Sequence, residues 1–339
     1  MADRIWRGGL IGFGQVVEMA HVPGFAGNVH FRLDSVADSV ASRLDRARIL
    51  LPKARFYPDG ASLFRSESAL DFVVIATPPS SHAPLVLQAL SRGLHVLCEK
   101  PLALGLPDLE KIEASARRRG KTVFTVHNWA FSPLWLKAAE LVQGGALGKI
   151  SHVELHTLRT QPAGQANPGS WRAQAALSGG GIAVDHGWHA LYQIFRLIGE
   201  DPVGISADLR RPGPDAVEEE ATVLLKFPSA SALLRLTWRA AERSNGGLIE
   251  GRKGVLELRD DHLILRRDGR QERFDFPEKI SAGSAHPEWL AAMLADFHAE
   301  LSQPRRRFEN LKEARFCVSA LRKIYAPATR SRPAVAALR

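Results

Sequence analysis

The stretch Leu10-Ile11-Gly12-Phe13-Gly14-Gln15-Val16-Val17 limits what this chain can fold into more than any other. It follows a short apolar run, Ile5 to Ile11, that Gly8 and Gly9 should break. It opens a helical segment, Gln15 to His21, that should stop near Pro23. Glycine at position 12 permits a tight strand-to-helix turn. Glycine at position 14 lets a pyrophosphate approach the backbone at the helix N-terminus, where unpaired amides and the helix dipole favour an anion. Gly12, Phe13, Gly14, Gln15 and Val16 are therefore the expected cradle of a dinucleotide. Val17 replaces the usual third glycine, at a position that governs helix–strand packing more than phosphate contact. A plain strand–turn–helix is the alternative reading.

The residues that follow continue the same plan. Phe31 to Ala37, Asp71 to Ala76, His95 to Cys98 and Thr122 to Val126 read as strands. Val40 to Leu50, Pro84 to Arg92 and Leu106 to Arg119 read as helices, the last bracketed by Pro107 and Gly120. Strands separated by helices imply a parallel, doubly wound Rossmann sheet with right-handed crossovers. Asp38 ends the second strand, where a carboxylate can accept both ribose hydroxyls of NAD and would repel a 2′-phosphate. Arg43, one turn on, keeps NADP in consideration, and a helix-capping role for Asp38 is open beside the ribose role.

From residue 128 the pattern changes. A helix at Pro133 to Gln143 and a strand at Ile150 to His156 lead into a Gly/Pro/Gln-rich loop, Gln161 to Gly169. A helix is expected at Val184 to Leu197. Extended stretches follow at Ala221 to Phe227, Ala232 to Trp238, Leu248 to Glu250, Val255 to Leu258, His262 to Arg266 and Glu272 to Phe276. Their short, turn-rich connections predict a large, mostly antiparallel sheet. Helices at Pro287 to Leu301 and Leu311 to Tyr325 close the chain. The expected α/β architecture is a Rossmann domain over 1–127 and an α+β domain over 128–339.

Charge and cysteine usage narrow the function classes. The net charge of +9 is spread along the chain, and its densest runs, Arg117 to Arg119 and Arg305 to Arg307, sit near helix ends. No aromatic-interleaved basic motif accompanies it, so no nucleic-acid partner is expected. No apolar run approaches the roughly 20 residues that span a bilayer, and the N-terminus does not read as a signal peptide. Cys98 and Cys317 build neither a disulfide framework nor a metal cluster, which suits a reducing cytoplasm.

Several motifs then line up in order. Ala76-Thr77-Pro78-Pro79-Ser80-Ser81-His82 and His95-Val96-Leu97-Cys98-Glu99-Lys100-Pro101 end two strands of the first domain. Trp171-Arg172, the run Gly179 to His189 (GGGIAVDHGWH), Tyr325-Ala326-Pro327 and Arg332-Pro333-Ala334-Val335 lie in the second. This set resembles the Gfo/Idh/MocA oxidoreductase family, which includes inositol and glucose–fructose dehydrogenases. The resemblance implies an NAD(P)-dependent enzyme that moves a hydride between nicotinamide and a secondary alcohol or ketone of a sugar, cyclitol or related polyol. It implies that Lys100 lies between nicotinamide and substrate, that Thr77, Pro78, His82 and Glu99 pack along the dinucleotide, and that Trp171 and Arg172 lie at the active-site mouth. By the same resemblance the second domain binds substrate and carries a homodimer or homotetramer interface.

Asp185 and His189, four residues apart, would share one helix face. A carboxylate beside an imidazole orients it and favours its charged form, so His189 would move the hydroxyl proton, Asp185 would orient it, and Lys100 would polarise the oxygen. The plain alternatives are a capping Asp185, a buried His189 and a surface Lys100 paired with Glu99. His186 and Asn128 are further candidates for substrate contact, and Ala130 stands where an arginine is frequent in the family. Asp185, His186 and His189 could in principle hold a metal, but the proton-relay reading needs fewer assumptions and no metal is expected. Two other functions share these motifs: a glycosidase that oxidises its substrate transiently on NAD, and a dinucleotide-sensing regulator that does no chemistry.

Overall fold

The computed structural model describes residues 4–162, 170–283 and 285–326. Most of the Gln161 to Gly169 loop, and the closing motif beyond Ala326, lie outside the described residues. The first sheet has six parallel strands: β1 Trp6–Ile11, β2 Phe31–Ala37, β3 Arg55–Tyr57, β4 Phe72–Ile75, β5 His95–Cys98 and β6 Val123–Thr125. Their order is β3-β2-β1-β4-β5-β6. The strand order reverses between β1 and β4, the place where open α/β sheets bind ligands beyond their carboxyl ends. β4 is buried along its whole length, as its apolar run requires.

β1 runs through Gly8 and Gly9 with a register shift between them and is not broken there. The helix after the glycine turn, α1 (residues 15–25), also departs from expectation, because it passes through Pro23 to Phe25. Its middle, Val17–His21, is a π turn in which the Val22 amide reaches back to the Val17 carbonyl. The widened turn accommodates a proline, which has no N–H to give and would clash with a carbonyl four residues back in a regular helix. β3 and the helix α3, Gly60–Ser66, are too short for their few apolar residues to show a period in the sequence. β3 is an edge strand whose Arg55 and Tyr57 are held by Glu67 at 2.6 and 2.9 Å.

Helices α2 Ala41–Leu50, α4 His82–Ser91 and α5 Leu106–Arg119 complete the crossovers. The last long helices are α10 Pro287–Ser302 and α11 Glu309–Tyr325. α10 returns to the first sheet, where Leu290, Met293, Leu294, Phe297 and Leu301 join one core with Leu10, Phe72, Val74, Leu97 and Phe124. Phe297 sits at its centre, with ring centroids 5.3 to 5.7 Å from Phe31, Phe72 and Phe124.

The second sheet has eight strands: β7 Ile150–Leu158, β8 Gly204–Arg210, β9 Glu220–Lys226, β10 Ser231–Thr237, β11 Ser244–Gly251, β12 Gly254–Leu258, β13 His262–Arg267 and β14 Arg270–Asp275. Their order is β14-β13-β12-β11-β7-β10-β9-β8. Only the β7–β10 pair among them is parallel. Helix α6 Pro133–Gln143 precedes β7, and helices α7 Ala175–Ser178, α8 Ile182–Asp185 and α9 Gly187–Ile198 lie between β7 and β8 in sequence. No helix among the described residues is long and apolar enough to cross a membrane.

Candidate active site

The glycine turn is built for a ligand at one position and for the fold at the other. Gly12 has φ +92°, and a Cβ there would come within 2.7 Å of the Ala76 carbonyl oxygen. A Cβ on Gly14 would meet nothing within 4 Å, so the protein itself leaves that side of the turn open. The amides of Gln15 and Val16, in the first turn of α1, lack the partner four residues back that interior helix amides have. The turn therefore fits a pyrophosphate. Gly14→Val should leave the unfolding midpoint unchanged and weaken NAD binding by roughly a hundredfold or more, since the added side chain enters only ligand space. Calorimetric titration with NAD checks this.

Asp38 closes the turn from the side. Its Oδ2 accepts the Phe13 amide at 2.6 Å and its Oδ1 accepts the Val40 amide at 2.8 Å. The amide of Phe13 is thus spent on Asp38. The N-cap of α2 is Val40, and Asp38 makes an Asx-type turn ahead of it. Arg43 Nη1 lies 3.6 Å from Asp38 with half of its side chain exposed. The Gln15 amide group turns to Met19 Sδ at 3.5 Å.

Thr77 and Pro78 form the opposite rim, after β4. Thr77 Oγ1 accepts the Ser81 hydroxyl at 2.7 Å. His82, expected along the dinucleotide, is fully buried, with Nδ1 2.8 Å from the Pro101 carbonyl and Nε2 2.7 Å from the Thr77 carbonyl. The ring ties the two loops together and has no free edge to offer a ligand. Glu99 faces α1, with Oε1 2.8 Å from His21 Nε2. Burial, the largest single influence, pushes its carboxyl up, but the His21 hydrogen bond and the charges of His21, Lys100 and His82 together bring the net shift downward.

Lys100, followed by a cis Pro101, crosses to the second domain. Its Nζ donates to the Asp185 backbone carbonyl at 2.6 Å and to Asp185 Oδ1 at 2.7 Å. This contact corrects the expected Asp185–His189 pair. Because Lys100 takes the Asp185 carbonyl, the His189 amide turns to His186 O at 3.1 Å, and the helix is interrupted at His186. Asp185 ends α8 and His189 belongs to α9. Burial alone would raise the Asp185 carboxyl, but Lys100, with His186 and Arg172, holds it well below the usual carboxylate range.

His189 is held by other neighbours. Its ring stacks on Trp129 at 4.4 Å with an interplanar angle of 6°, and its Nδ1 lies 3.1 Å from the Tyr192 hydroxyl. Nε2 is the nitrogen left for a substrate. Burial first, and the Lys100 charge second, push the imidazole well below its ordinary range, so it is neutral at pH 7. His186 is neutral too: burial lowers it to about 3 against the pull of Asp185. Its Nδ1 accepts from Trp238 Nε1 at 3.4 Å and lies 3.4 Å from Asp185 Oδ2. Behind Tyr192, the buried His127 ring stacks at 4.3 Å and bonds Glu313 Oε2 at 2.7 Å.

Arg172, expected at the mouth, lies over the Trp171 ring at 4.4 Å, and its charge reaches Asp185. Asn128 opens the short helical turn Asn128–Phe131 and is partly exposed. Ala130, in the same turn, is buried. Four contributors escaped the sequence reading. Trp129 and Tyr192 pack and bond His189. Arg159, at the end of β7, reaches over Trp129 at 5.7 Å. Glu218 accepts the Gly181 and Ala183 amides at 2.9 and 3.0 Å and so anchors the start of α8. Only the position of Tyr192, one turn after His189, could have been read from spacing.

A Rossmann sheet with an open glycine turn, facing a lysine–aspartate pair and a neutral histidine from a second domain, defines a dinucleotide-dependent oxidoreductase. Residues 6–127 match the model of the oxidoreductase family with an NAD-binding Rossmann fold, and residues 135–257 match the GFO/IDH/MocA C-terminal domain. The chain belongs to the Gfo/Idh/MocA oxidoreductase family. It is 30% identical to the uncharacterized oxidoreductase YdgJ of Escherichia coli (strain K12), over 83% of this chain and 77% of that protein. It is 25% identical to a levoglucosan dehydrogenase of Pseudarthrobacter phenanthrenivorans, over 63% of each. Among solved structures, aldose–aldose oxidoreductase from Caulobacter crescentus, complexed with glycerol, superposes with a TM-score of 0.79 at 24% identity, over 95% of this chain and 98% of that one.

Proposed function

We propose that the enzyme oxidises a secondary alcohol of a sugar, cyclitol or related polyol, or reduces the matching ketone, with NAD as the preferred cofactor. The observation that carries this reading is the meeting of Lys100 Nζ with Asp185 beside a neutral His189, beyond the carboxyl ends of the parallel strands. The names of the levoglucosan dehydrogenase and the aldose–aldose oxidoreductase support a sugar-like substrate.

The glycine turn and Asp38 would hold NAD, whose nicotinamide would supply the hydride acceptor. The ammonium of Lys100 has three donors, of which Asp185 takes two. The third is left for the reacting oxygen, where it stabilises the negative charge that develops as the hydroxyl proton leaves. His189 Nε2 accepts that proton; Nδ1 then carries the ring's other hydrogen and donates it to Tyr192 Oη. Asp185 positions Lys100. Thr77 and Pro78 face the cofactor directly, His82 and Glu99 brace the loops that do, and Asn128, Trp171, Arg172 and His186 border the substrate. Asp38 leaves lone pairs for the ribose hydroxyls. The buried free thiols of Cys98 and Cys317 suit a reducing cytoplasm.

A panel of polyols and aldoses with NAD and NADP, followed by the absorbance of reduced nicotinamide, tests the reading. Reduction of NAD by at least one member is the expected result. Turnover without accumulated reduced cofactor points instead to transient oxidation, and NAD binding without transfer to any member points to a sensor.

A further inference from the structure

Arg159 is a charged side chain that the fold has buried without a counter-ion among the described residues. Only 3% of the residue is exposed. Its Nη1 donates to neutral acceptors alone: the carbonyls of Leu158 and Ser244 at 2.8 and 3.3 Å, and Asn245 Oδ1 at 3.1 Å. Its Nε is buried with no partner. No carboxylate among the described residues lies within ion-pair distance. The two acids that act on it electrostatically are already engaged, Asp185 by Lys100 and Asp260 by the Asn245 and Ser281 amides at 3.1 and 3.0 Å. Arg243 lies on the same side and repels it, and burial with that repulsion lowers the guanidinium to about 10. Arg159, Lys100 and Arg243 all bear on His186, against Asp185 alone.

Burying an unpaired cation beside further cations is costly, and folded proteins keep such groups mainly where a ligand completes them. Arg159 lies over the Trp129 ring at 5.7 Å, His189 stacks on that ring at 4.4 Å, and the Asp185 charge acts on the guanidinium, which puts Arg159 in the neighbourhood of the Lys100–Asp185–His189 group. We propose that the substrate carries an anionic group, a carboxylate or a phosphate ester on the sugar or polyol, and that Arg159 receives it. This rests on the dehydrogenase reading of the same cleft and narrows its substrate class. The planar fork of a guanidinium matches either anion bidentately. Arg159 thereby supplies from β7 the cation that Ala130 lacks. The partly exposed Trp129 ring covers the guanidinium, so occupation of the site moves that ring and changes its fluorescence.

The test uses the NAD-loaded full chain, titrated with D-gluconate, D-glucuronate and D-glucose 6-phosphate, and with sorbitol and D-glucose as neutral counterparts. Wild type should bind at least one charged probe roughly tenfold or more tighter than its neutral match, with a change in tryptophan emission. Arg159→Gln should lose that preference, Arg159→Lys should retain part of it, and NAD affinity should be the same in all three. Preference for the acids assigns a carboxylate; preference for the phosphate assigns an ester. Equal binding of charged and neutral probes by wild type, or an undiminished preference in Arg159→Gln, overturns the inference. Hydride transfer is read separately. Charged probes that bind through Arg159 without reducing NAD leave the anion site standing and remove the dehydrogenase reading. Neutral polyols that reduce NAD, with charged probes bound no tighter than their neutral matches by wild type, do the reverse.

Discussion

Lys100→Met lowers kcat for alcohol oxidation by about a hundred- to a thousandfold, the usual loss when one preorganised donor is removed from a developing oxyanion. NAD affinity stays close to wild type, because the glycine turn and Asp38 are untouched. The same variant loses stability. The ammonium holds the Asp185 carboxyl below its ordinary range, so the pair contributes stability that is full above the unfolded carboxyl value and lost as pH falls toward the folded one. At pH 7 that contribution is present in wild type and absent in the variant. Its loss costs about 2 kcal/mol, less than for a sealed pair because roughly a quarter of the Asp185 side chain is exposed. Adding Asp185→Leu removes the stranded carboxylate. The double variant should regain part of the unfolding midpoint while kcat stays low, which separates chemistry from folding. Wild-type kcat in Lys100→Met would remove the lysine from the mechanism.

His189→Ala lowers kcat by about a hundred- to ten-thousandfold, the range for loss of a general base. His189→Asn, which keeps a polar group beside Tyr192, should fall nearly as far, since an amide cannot accept the proton. The pH profile gives an independent reading. An exposed imidazole would protonate as pH falls through about 6.5 and stop acting as a base. Burial and Lys100 push His189 downward, so the fall in the wild-type oxidation rate on its account should begin at a lower pH than an exposed imidazole would set. Stability behaves differently. His82, His95, His127, His186 and His189 all have lowered folded values, with His95 and His186 at about 3. Their contribution is complete above the unfolded value and is lost as pH falls below it, by up to about 1.4 kcal/mol per pH unit for each ring. Denaturant unfolding should therefore show a lower midpoint at pH 5.5 than at pH 7.5.

Local signals carried much of the fold. The glycine turn, the buried run at β4, and the Pro107 and Gly120 that bracket α5 mark elements that depend on near neighbours. What could not be read depends on distant residues. The break at His186 exists because Lys100, 85 residues earlier, takes the Asp185 carbonyl, so a four-residue spacing that would pair Asp185 with His189 in one helix pairs neither. The passage of α1 through Pro23 needs a π turn that no local propensity announces. β3 is three residues long, lies at the sheet edge and is held by side-chain bonds, so it is too short to show the apolar alternation that marks a strand. In the site, Lys100, Asp185 and His189 were legible as a motif. Arg159 was not, because an arginine at a strand end reads as a surface residue until the second sheet and Trp129 bury it.

The most direct test is a crystal structure of the enzyme with NAD bound. The expected result has the pyrophosphate on Gly14 and the first-turn amides of Gln15 and Val16. The nicotinamide C4 then faces a space within about 3.5 Å of which one substrate oxygen can reach both Lys100 Nζ and His189 Nε2. A dinucleotide seated elsewhere, or a nicotinamide turned so that no single oxygen can meet both groups, would contradict the account.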